Sequence, residues 1–319
     1  MMNAFRNCFM VLCCWLAVAG VKAQESKEVY SFLRLPVSAH AAAVGGENIS
    51  MTEDDPTVIF HNPSLINNVS DKSINLNMMT YMQGTTTASA AFVKAANDRA
   101  SWGVSAQYMA YGSIKEMTVS NEQTGTFSPK DIALAGTFAY LLADRFSGGI
   151  TGRFISSTIG SYSSAAVGFD LGVNYLDEDK GWSLSAVAKN LGGQIKAYDE
   201  DFERIPFDLQ LGVTKKLIGS PLTLHLTMSR LNNWDQGLIK HVAVGADVYL
   251  MESIYLAAGY NFRRSSEMKI VETDDKESNH GAGLSLGAGL QLQRFKLQLA
   301  YAKYHVSSYS ILINATYSL

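Results

Sequence analysis

A histidine and a serine near the end of the chain have the spacing best suited to hydrolytic chemistry. His305 and Ser307 lie two positions apart, which would place both side chains on one face of a strand. In that arrangement a histidine base can activate a serine nucleophile. The pair falls in a turn between two predicted strands, however, and this spacing is common by chance. We therefore expect that the protein is not an enzyme.

The other residues that often carry chemistry do not point to a cofactor. Six histidines are spread along the chain without metal-ligand spacing: His40, His61, His225, His241, His280 and His305. The sequence has no phosphate-binding loop and no dinucleotide fingerprint. Lysine and arginine number 26 against 29 aspartate and glutamate, and no basic patch favours nucleic acid. The sequence predicts no cofactor, no metal and no nucleic-acid partner.

The elements available to position a site are strands. From Ser73 to Leu319 the chain divides into about fourteen segments that alternate apolar with small or polar residues. The last segment places Tyr309, Ile311, Ile313, Ala315, Tyr317 and Leu319 on one face and Ser310, Asn314, Thr316 and Ser318 on the other, with Leu312 as the exception. One face of each strand is therefore suited to lipid or to a protein core.

Connection lengths separate a membrane barrel from a soluble β-sandwich, whose strands alternate in the same way. Short links are expected after Leu142, Tyr175, Ile218, Leu250 and Gln293. Most of the links between them are longer, at Ser113 to Pro129, Gly192 to Pro206, Asn232 to Gly237 and Arg264 to His280. Outer-membrane barrels have short periplasmic turns and longer extracellular loops. The sequence predicts an all-β, transmembrane outer-membrane β-barrel of about 14 antiparallel strands.

The start of the chain agrees with export to the outer membrane of a Gram-negative cell. Residues 1–23 carry Arg6, an apolar stretch and a small-residue ending at Ala23, which predicts a signal peptide. The apolar stretch is too short for a membrane-spanning helix, and the residues before Cys14 are a poor site for a lipoprotein anchor. All three cysteines lie in this segment, so the mature chain would contain no thiol.

Residues 24–72, between the signal peptide and the barrel at 73–319, show no alternation. Asp55 precedes Pro56 and Asn62 precedes Pro63, and each pair places a good helix N-cap before a residue suited to the first turn. We expect short helical turns that fold into the lumen as a plug. A periplasmic tail is the alternative.

The N-terminal motifs resemble those of a known group. The run from Phe32 to Gly46, the acidic stretch Glu53 to Asp55 and the motif from Asn62 to Leu65 are similar to the N-terminal pattern of the PorQ group. This group is part of the PorV/FadL-like barrel family of Bacteroidetes. The resemblance implies a FadL-like fold with an N-terminal lumenal plug, in which Gly45, Gly46, Asn62, Pro63 and Ser64 form the plug motif. Ser64 stands where FadL-like proteins have alanine.

The resemblance also implies a function in the type IX secretion system. There the barrel would belong to the attachment complex, contact outer-membrane lipid, and anchor a PorZ-like surface partner together with PorU-like and PorV-like secretion proteins. Such a complex processes secreted cargo and attaches it to the surface. The predicted partner-binding loop contains Lys269, Glu272, Asp274, Asp275 and Lys276, because recognition is often carried by long loops on a rigid scaffold.

The residues themselves support a second function, a FadL-type outer-membrane channel for hydrophobic small molecules. Such a channel needs an apolar slot and an opening in the wall, and glycine permits a strand to kink. Two glycine clusters could mark the opening: Gly148, Gly149 and Gly152 in one strand, and Gly281, Gly283, Gly287 and Gly289 in another. The competing interpretation is that inward glycines make room for the plug.

Overall fold

The computed structural model describes residues 28–82, 84–118, 120, 122–234, 237–271, 277–278 and 281–319. The predicted signal peptide lies outside them. The described residues form a closed antiparallel barrel of fourteen strands. These are β1 Ser73–Thr80, β2 Thr86–Asn97, β3 Ala100–Ala110, β6 Lys130–Ala143, β7 Phe146–Ile159, β8 Tyr162–Asp177, β9 Trp182–Lys196, β10 Asp208–Lys216, β11 Leu222–Met228, β12 Val242–Met251, β13 Ile254–Asn261, β16 Leu284–Gln291, β17 Phe295–His305 and β18 Ser308–Ser318.

Each barrel strand pairs with its sequence neighbours, and β1 pairs with β18 to close the ring, with Ser73 opposite Ser318. The links at 144–145, 178–181, 217–221, 252–253 and 292–294 are short, as predicted, and lie at the same end as the start of β1. The longer links lie at the other end. By the rule for outer-membrane barrels, the short turns face the periplasm and the long loops face outward.

The two faces of the wall differ as the alternation predicts. Outward side chains are apolar and exposed, for example Leu76, Leu211 and Ile313, whereas inward ones are polar and buried, for example Asn75 and Asn314. Leu312, the exception in the last strand, is buried and packs with residues of the N-terminal segment. Its apolar side chain faces inward because an apolar part of the chain lies there.

Strand β9 corrects one predicted boundary. The residues from Gly192 continue the strand to Lys196, although the sequence predicts a loop there. A bulge opposite Asp170 shifts the register, so the alternation changes phase and the simple pattern is lost. Strand β10 pairs with β9 only from Asp208, which lies opposite Lys189. In the described structure, the outer part of β9 therefore pairs with β8 alone.

Short secondary-structure elements lie in the links at the outer end of the barrel. They are the hairpin β4 Ile114–Met117 with β5 Gln123–Phe127, the hairpin β14 Ile270–Val271 with β15 Glu277–Ser278, helix α2 Phe262–Glu267 and a 3₁₀ turn Leu238–His241. Among the described residues, no helix has the length and apolar character needed to cross a membrane.

The N-terminal residues 29–70, here called the inner segment, pack against inward-facing residues of the wall. Their elements are 3₁₀ turns Ser31–Arg34, Pro56–Phe60 and Pro63–Asn68, and helix α1 Ala39–Ala43. The side chain of Asp55 accepts a hydrogen bond from the amide of Thr57, and that of Asn62 accepts one from the amide of Ser64. These caps satisfy amides that would otherwise be buried without partners.

Candidate functional site in the barrel lumen

The outer half of the lumen contains an apolar compartment. Inward residues of four neighbouring strands line it, namely Met109 on β3, Ala133 on β6, Ile155 on β7 and Ala166 on β8, and all four are buried. Ala133 lies opposite Ile155, and Ile155 lies opposite Ala166. An inward apolar row departs from the polar lumen expected of such barrels. The compartment could therefore hold an apolar group.

The start of the inner segment fills this compartment. Tyr30, Phe32 and Leu33 pack in one buried cluster with the four wall residues, and Ile205 of the outer link joins them. Tyr30 adopts a left-handed backbone conformation with φ 59°, which is uncommon for a large residue. The turn that follows directs Phe32 into the barrel, where it is 1% exposed.

Few polar contacts hold this part of the inner segment. The amide of Val29 donates to the carbonyl of Arg204 at 3.0 Å, and Glu28 forms an isolated parallel bridge with Arg204. The hydroxyl of Tyr30 contacts that of Ser164, and Gln107 Nε2 donates to the carbonyl of Phe32 at 3.3 Å. The segment thus enters from the outer mouth and is attached at its rim.

Charged residues surround the rest of the outer lumen. Arg153 Nη2 donates to Asp170 Oδ2 at 2.7 Å, and Lys189 Nζ donates to the carbonyl of Phe60 at 2.9 Å. Arg34 bridges Glu28 at 2.7 Å and Asp208 at 3.8 Å. A cavity of about 30 Å³ lies among them, with room for little more than a water molecule. This cavity is too small for an organic solute.

A histidine between two carboxylates joins the middle of the inner segment to the wall. His40 Nδ1 lies 3.1 Å from Glu53 Oε2, and His40 Nε2 lies 3.0 Å from Asp247 Oδ1. Although burial lowers the pKa of His40, the charges of Asp247 and Glu53 raise it to about 10. Burial likewise opposes ionisation of Glu53, but His40 and Lys296 lower its pKa to about 2. With a carboxylate beside each ring nitrogen, the site favours the imidazolium form of His40.

On the wall, a second histidine contacts an aspartate through one ring nitrogen and a threonine hydroxyl through the other. His225 Nε2 lies 2.7 Å from Asp247 Oδ2, and its Nδ1 lies 3.0 Å from Thr214 Oγ1. Asn48 Nδ2 lies 2.9 Å from the same Nδ1, so this nitrogen accepts from the amide. All four residues are buried. The arrangement serves to attach the inner segment.

The predicted plug motif lies where the inner segment touches the wall. Asn62 Oδ1 accepts from the amide and hydroxyl of Ser64 at 3.0 and 2.7 Å, and Asn62 Nδ2 donates to the carbonyl of Ile49 at 2.9 Å. A methyl group on Gly172 would overlap Asn62 Oδ1, and one on Gly149 would overlap the backbone of Pro63. These wall glycines make room for the motif.

Gly45 and Gly46 follow α1 with φ values of 116° and 100°, a conformation that favours glycine. The carbonyl of Gly45 accepts from Asn261 Nδ2 at 3.0 Å. In the second glycine cluster, a methyl group on Gly287 would lie 2.5 Å from the Cβ of Ala43. The strands around both clusters stay paired. Gly149 and Gly287 therefore accommodate the inner segment, and the paired strands that carry them show no opening among the described residues.

The other predicted residues lie at the outer end. His305 Nδ1 is 2.8 Å from Ser307 Oγ in the exposed turn between β17 and β18, and the amide of Ser307 donates to the same nitrogen. The pair is a local turn contact. Lys269 of the predicted partner-binding loop is exposed. Glu272, Asp274, Asp275 and Lys276 lie outside the described residues, and so does His280.

Sequence reasoning missed the apolar compartment. Its signal is a run of apolar residues that breaks the alternation in each of several strands, such as Ile132 to Leu134, Phe154 to Ile155 and Ala165 to Val167. Within a single strand, each run cannot be distinguished from a chance exception to the alternation. The barrel register places the runs side by side, and there they form one surface.

Comparisons with known proteins agree on the fold. No family model matches the sequence, and no curated protein matches it. The toluene transporter TodX of Pseudomonas putida is similar at a TM-score of 0.58 and 13% identity, with 88% of this chain and 97% of TodX covered. A FadL homologue of Pseudomonas aeruginosa has a TM-score of 0.56 and 14% identity, with coverage of 89% and 99%. The CymD monoaromatic hydrocarbon channel has a TM-score of 0.55 and 12% identity, with coverage of 90% and 98%.

At these identities the likeness concerns the fold. The chain is an outer-membrane β-barrel of FadL-like fold with fourteen strands, which confirms the predicted fold class and location. None of these three structures is named as a type IX secretion protein.

Proposed function

We propose that this protein is an outer-membrane channel for hydrophobic small molecules. The apolar compartment carries the proposal, because a lumen that only conducted water and ions would need no inward apolar row. Met109, Ala133, Ile155 and Ala166 provide a surface that a nonpolar solute can bury against. Burial of apolar area is worth about 25 cal/mol per Å².

The solute would take the place of the first residues of the inner segment. Tyr30, Phe32 and Leu33 occupy the compartment mainly through apolar contacts, which a nonpolar solute can replace. The polar partners given up in the wall are the side chains of Gln107 and Ser164. The attachment at Glu28 and Arg204 lies on the rim and is exposed. We infer that this end of the inner segment lifts, while the His40 contacts hold the rest in place.

The wall beside the compartment gives the solute a route. Beyond Lys189 the outer part of β9 has no β10 partner among the described residues, and residues 197–207 cover that side. Ile205 of this link belongs to the compartment cluster. Displacement of the link would connect the compartment with the membrane without breaking any hydrogen bonds between paired strands, which would be costly in lipid.

The names of the similar structures favour the same class of solute. TodX is described as a toluene transporter and CymD as a monoaromatic hydrocarbon channel. Both descriptions belong to those proteins alone, but they agree with a compartment lined by aliphatic side chains. The type IX interpretation rests on the N-terminal motif and on a loop that is mostly outside the described residues, and the comparisons give it no support.

Uptake of a labelled monoaromatic hydrocarbon by cells that lack other such channels tests the proposal. Ile155→Asn places an amide in the compartment, and we expect uptake to fall at least about tenfold because the amide must be desolvated by the solute. Val93→Asn is the matched control, since Val93 is an equally buried inward residue in a different cluster. Equal uptake by the two variants, at equal amounts of folded barrel, would refute the proposal.

A further inference from the structure

The lipid-facing side of the barrel carries an apolar groove that has no role in the proposed channel. Outward positions at mid-height on four neighbouring strands are small: Ala90 on β2, Ala106 on β3, Gly136 on β6 and Gly152 on β7. Ala90 lies opposite Ala106, and Gly136 lies opposite Gly152. Larger side chains border them, including Phe92, Leu134 and Phe169, and the groove measures about 870 Å³.

The groove is a real depression in the apolar band. A methyl group added to Gly136 would meet nothing within 4 Å, although its neighbours Leu134 and Phe138 along β6 are large and exposed. Outward positions of β10 and β11 carry leucines, such as Leu209, Leu211 and Leu226. An empty depression would deprive its lining of dispersion contacts, so a flexible chain is expected to fill it.

A lysine and a tryptophan lie between the groove and the periplasmic turns. Lys94 and Trp102 face each other across β2 and β3, one step beyond the pair Phe92 and Val104 that borders the groove. The ammonium group of Lys94 makes no hydrogen bond or ion pair with any residue that the structure describes. Tryptophan and lysine at this height are typical of the membrane interface, where lysine can meet lipid phosphate.

Arg99 lies in the short turn between β2 and β3, on the periplasmic side of Lys94 and Trp102. Its guanidinium is 5.3 Å from the ring centre of Tyr140, an outward residue of β6, and Nη2 donates to the carbonyl of Leu141 at 2.9 Å. Asp98 is the acidic residue of this turn and is exposed. Asp71 is a second acidic residue here, since its carboxylate accepts from the amide of Ala95 at 3.0 Å. Lys94 is the cation of this rim that lacks a hydrogen-bond or ion-pair partner among the described residues.

We propose that this groove binds one phospholipid of the periplasmic leaflet. An acyl chain lies along Ala90, Ala106, Gly136 and Gly152, and the phosphate lies against Lys94 and Arg99. From Lys94 to Ala90 the strand rises about 14 Å, so a head group at the lysine leaves its chain at the height of the groove. The unpartnered ammonium group of Lys94 favours a lipid with a net negative charge, such as phosphatidylglycerol.

Native mass spectrometry of the purified barrel with added palmitoyl-oleoyl phosphatidylglycerol tests this assignment. Wild type is expected to retain one lipid. Gly136→Leu fills the groove and should lower the retained fraction at least about tenfold, and Ala106→Leu should do the same. Ala258→Leu, a small-to-large change at an exposed outward position on β13, is the matched control and should leave retention unchanged. Lys94→Gln should weaken retention about two- to fivefold.

Three results would overturn the proposal. Equal retention by Gly136→Leu, Ala106→Leu and Ala258→Leu would mean that lipid binds elsewhere. If wild type retains phosphatidylethanolamine and phosphatidylglycerol equally, and Lys94→Gln changes neither, the cations do not bind the phosphate. If wild type forms a dimer and Gly136→Leu is a monomer, the groove is occupied by a second copy of the chain. A shift in electrophoretic mobility on heating shows that each variant is a folded barrel.

Discussion

His40 of the inner segment lies 3.0 Å from Asp247 of strand β12, and its other ring nitrogen lies 3.1 Å from Glu53. Since each ring nitrogen faces a carboxylate, the imidazolium form fits the site and a neutral ring would leave one carboxylate facing a lone pair. The ring also stacks on Tyr255 at 4.2 Å. His40 thereby attaches the inner segment to the wall at mid-height, below the part that is proposed to move.

Stability should depend on pH through His40. Its pKa is raised from 6.5 to about 10, so its contribution is complete below pH 6.5 and is lost as the pH rises to about 10. The free energy of unfolding should fall in that window by up to about 1.4 kcal/mol per pH unit. Urea unfolding in lipid vesicles at several pH values measures this slope.

His40→Gln is the control for that prediction, because glutamine does not titrate. The variant should be less stable at pH 6 and should lose the slope between pH 6.5 and 10. Glu53 acts in the opposite direction. Its pKa is lowered from 4.5 to about 2, so its contribution is lost as the pH falls through that range. A slope above pH 6.5 that persists in His40→Gln would contradict the assigned charge state.

The wall glycines that touch the inner segment should not tolerate a side chain. Gly172→Ala places a methyl group against Asn62 Oδ1, and overpacking of this kind costs about 1–3 kcal/mol. Gly136→Ala is the matched control, since nothing lies within 4 Å of its added methyl group. Heating changes the electrophoretic mobility of a folded barrel, and the temperature of this change should fall for Gly172→Ala alone. An equal temperature for both variants would show that the inner segment is not packed there.

Asn62 should be important for the shape of the inner segment. Asn62→Ala removes the cap of the turn Pro63–Asn68 and the hydrogen bond to Ile49. The amide of Ser64 and the carbonyl of Ile49 would then be buried without partners, at a cost of about 1–3 kcal/mol each. Faster hydrogen exchange in residues 56–68 by mass spectrometry would show this. Exchange equal to wild type would mean that the cap contributes little.

The orientation of the barrel can be tested with single cysteines, because all three native cysteines lie within the first 14 residues. Thr124→Cys in the outer hairpin should react with a membrane-impermeant maleimide on intact cells. Glu252→Cys, in the short turn between β12 and β13, should react only after the outer membrane is opened. Both positions are exposed. The reverse pattern would invert the topology.

The barrel itself is predictable from sequence because alternation has a single cause. Each strand has lipid on one side, so residues such as Ile311 and Ile313 repeat every second position. Most links follow the expected alternation of short turns and long loops, although the outward links at 160–161 and 306–307 are short. Prediction fails at β9, where the bulge beside Asn190 changes the phase of alternation. The phase change makes the end of the strand look like a loop, because no residue type marks the bulge itself.

The lumen is harder to predict because its contacts join distant parts of the chain. His40 and Asp247 are far apart in the sequence and meet only when the barrel closes. Ile155 and Tyr30 are likewise distant, and neither stands out in its own segment. The motif glycines and Asn62 are recognisable through a resemblance, whereas their physical reason, the close approach of segment and wall, requires the structure.

A reversible lock on the inner segment is the decisive test of the proposed channel. Glu28 and Arg204 pair across a parallel bridge, a geometry close enough for a disulfide, and the cysteines of residues 1–23 would leave with the signal peptide. In Glu28→Cys/Arg204→Cys, oxidation should hold Tyr30 to Leu33 in the compartment and reduce hydrocarbon uptake at least about tenfold, and reduction should restore it. Each single variant controls for loss of the native side chains. Undiminished uptake by the fully oxidised double variant would refute this mechanism, because the solute would then pass without displacing the inner segment.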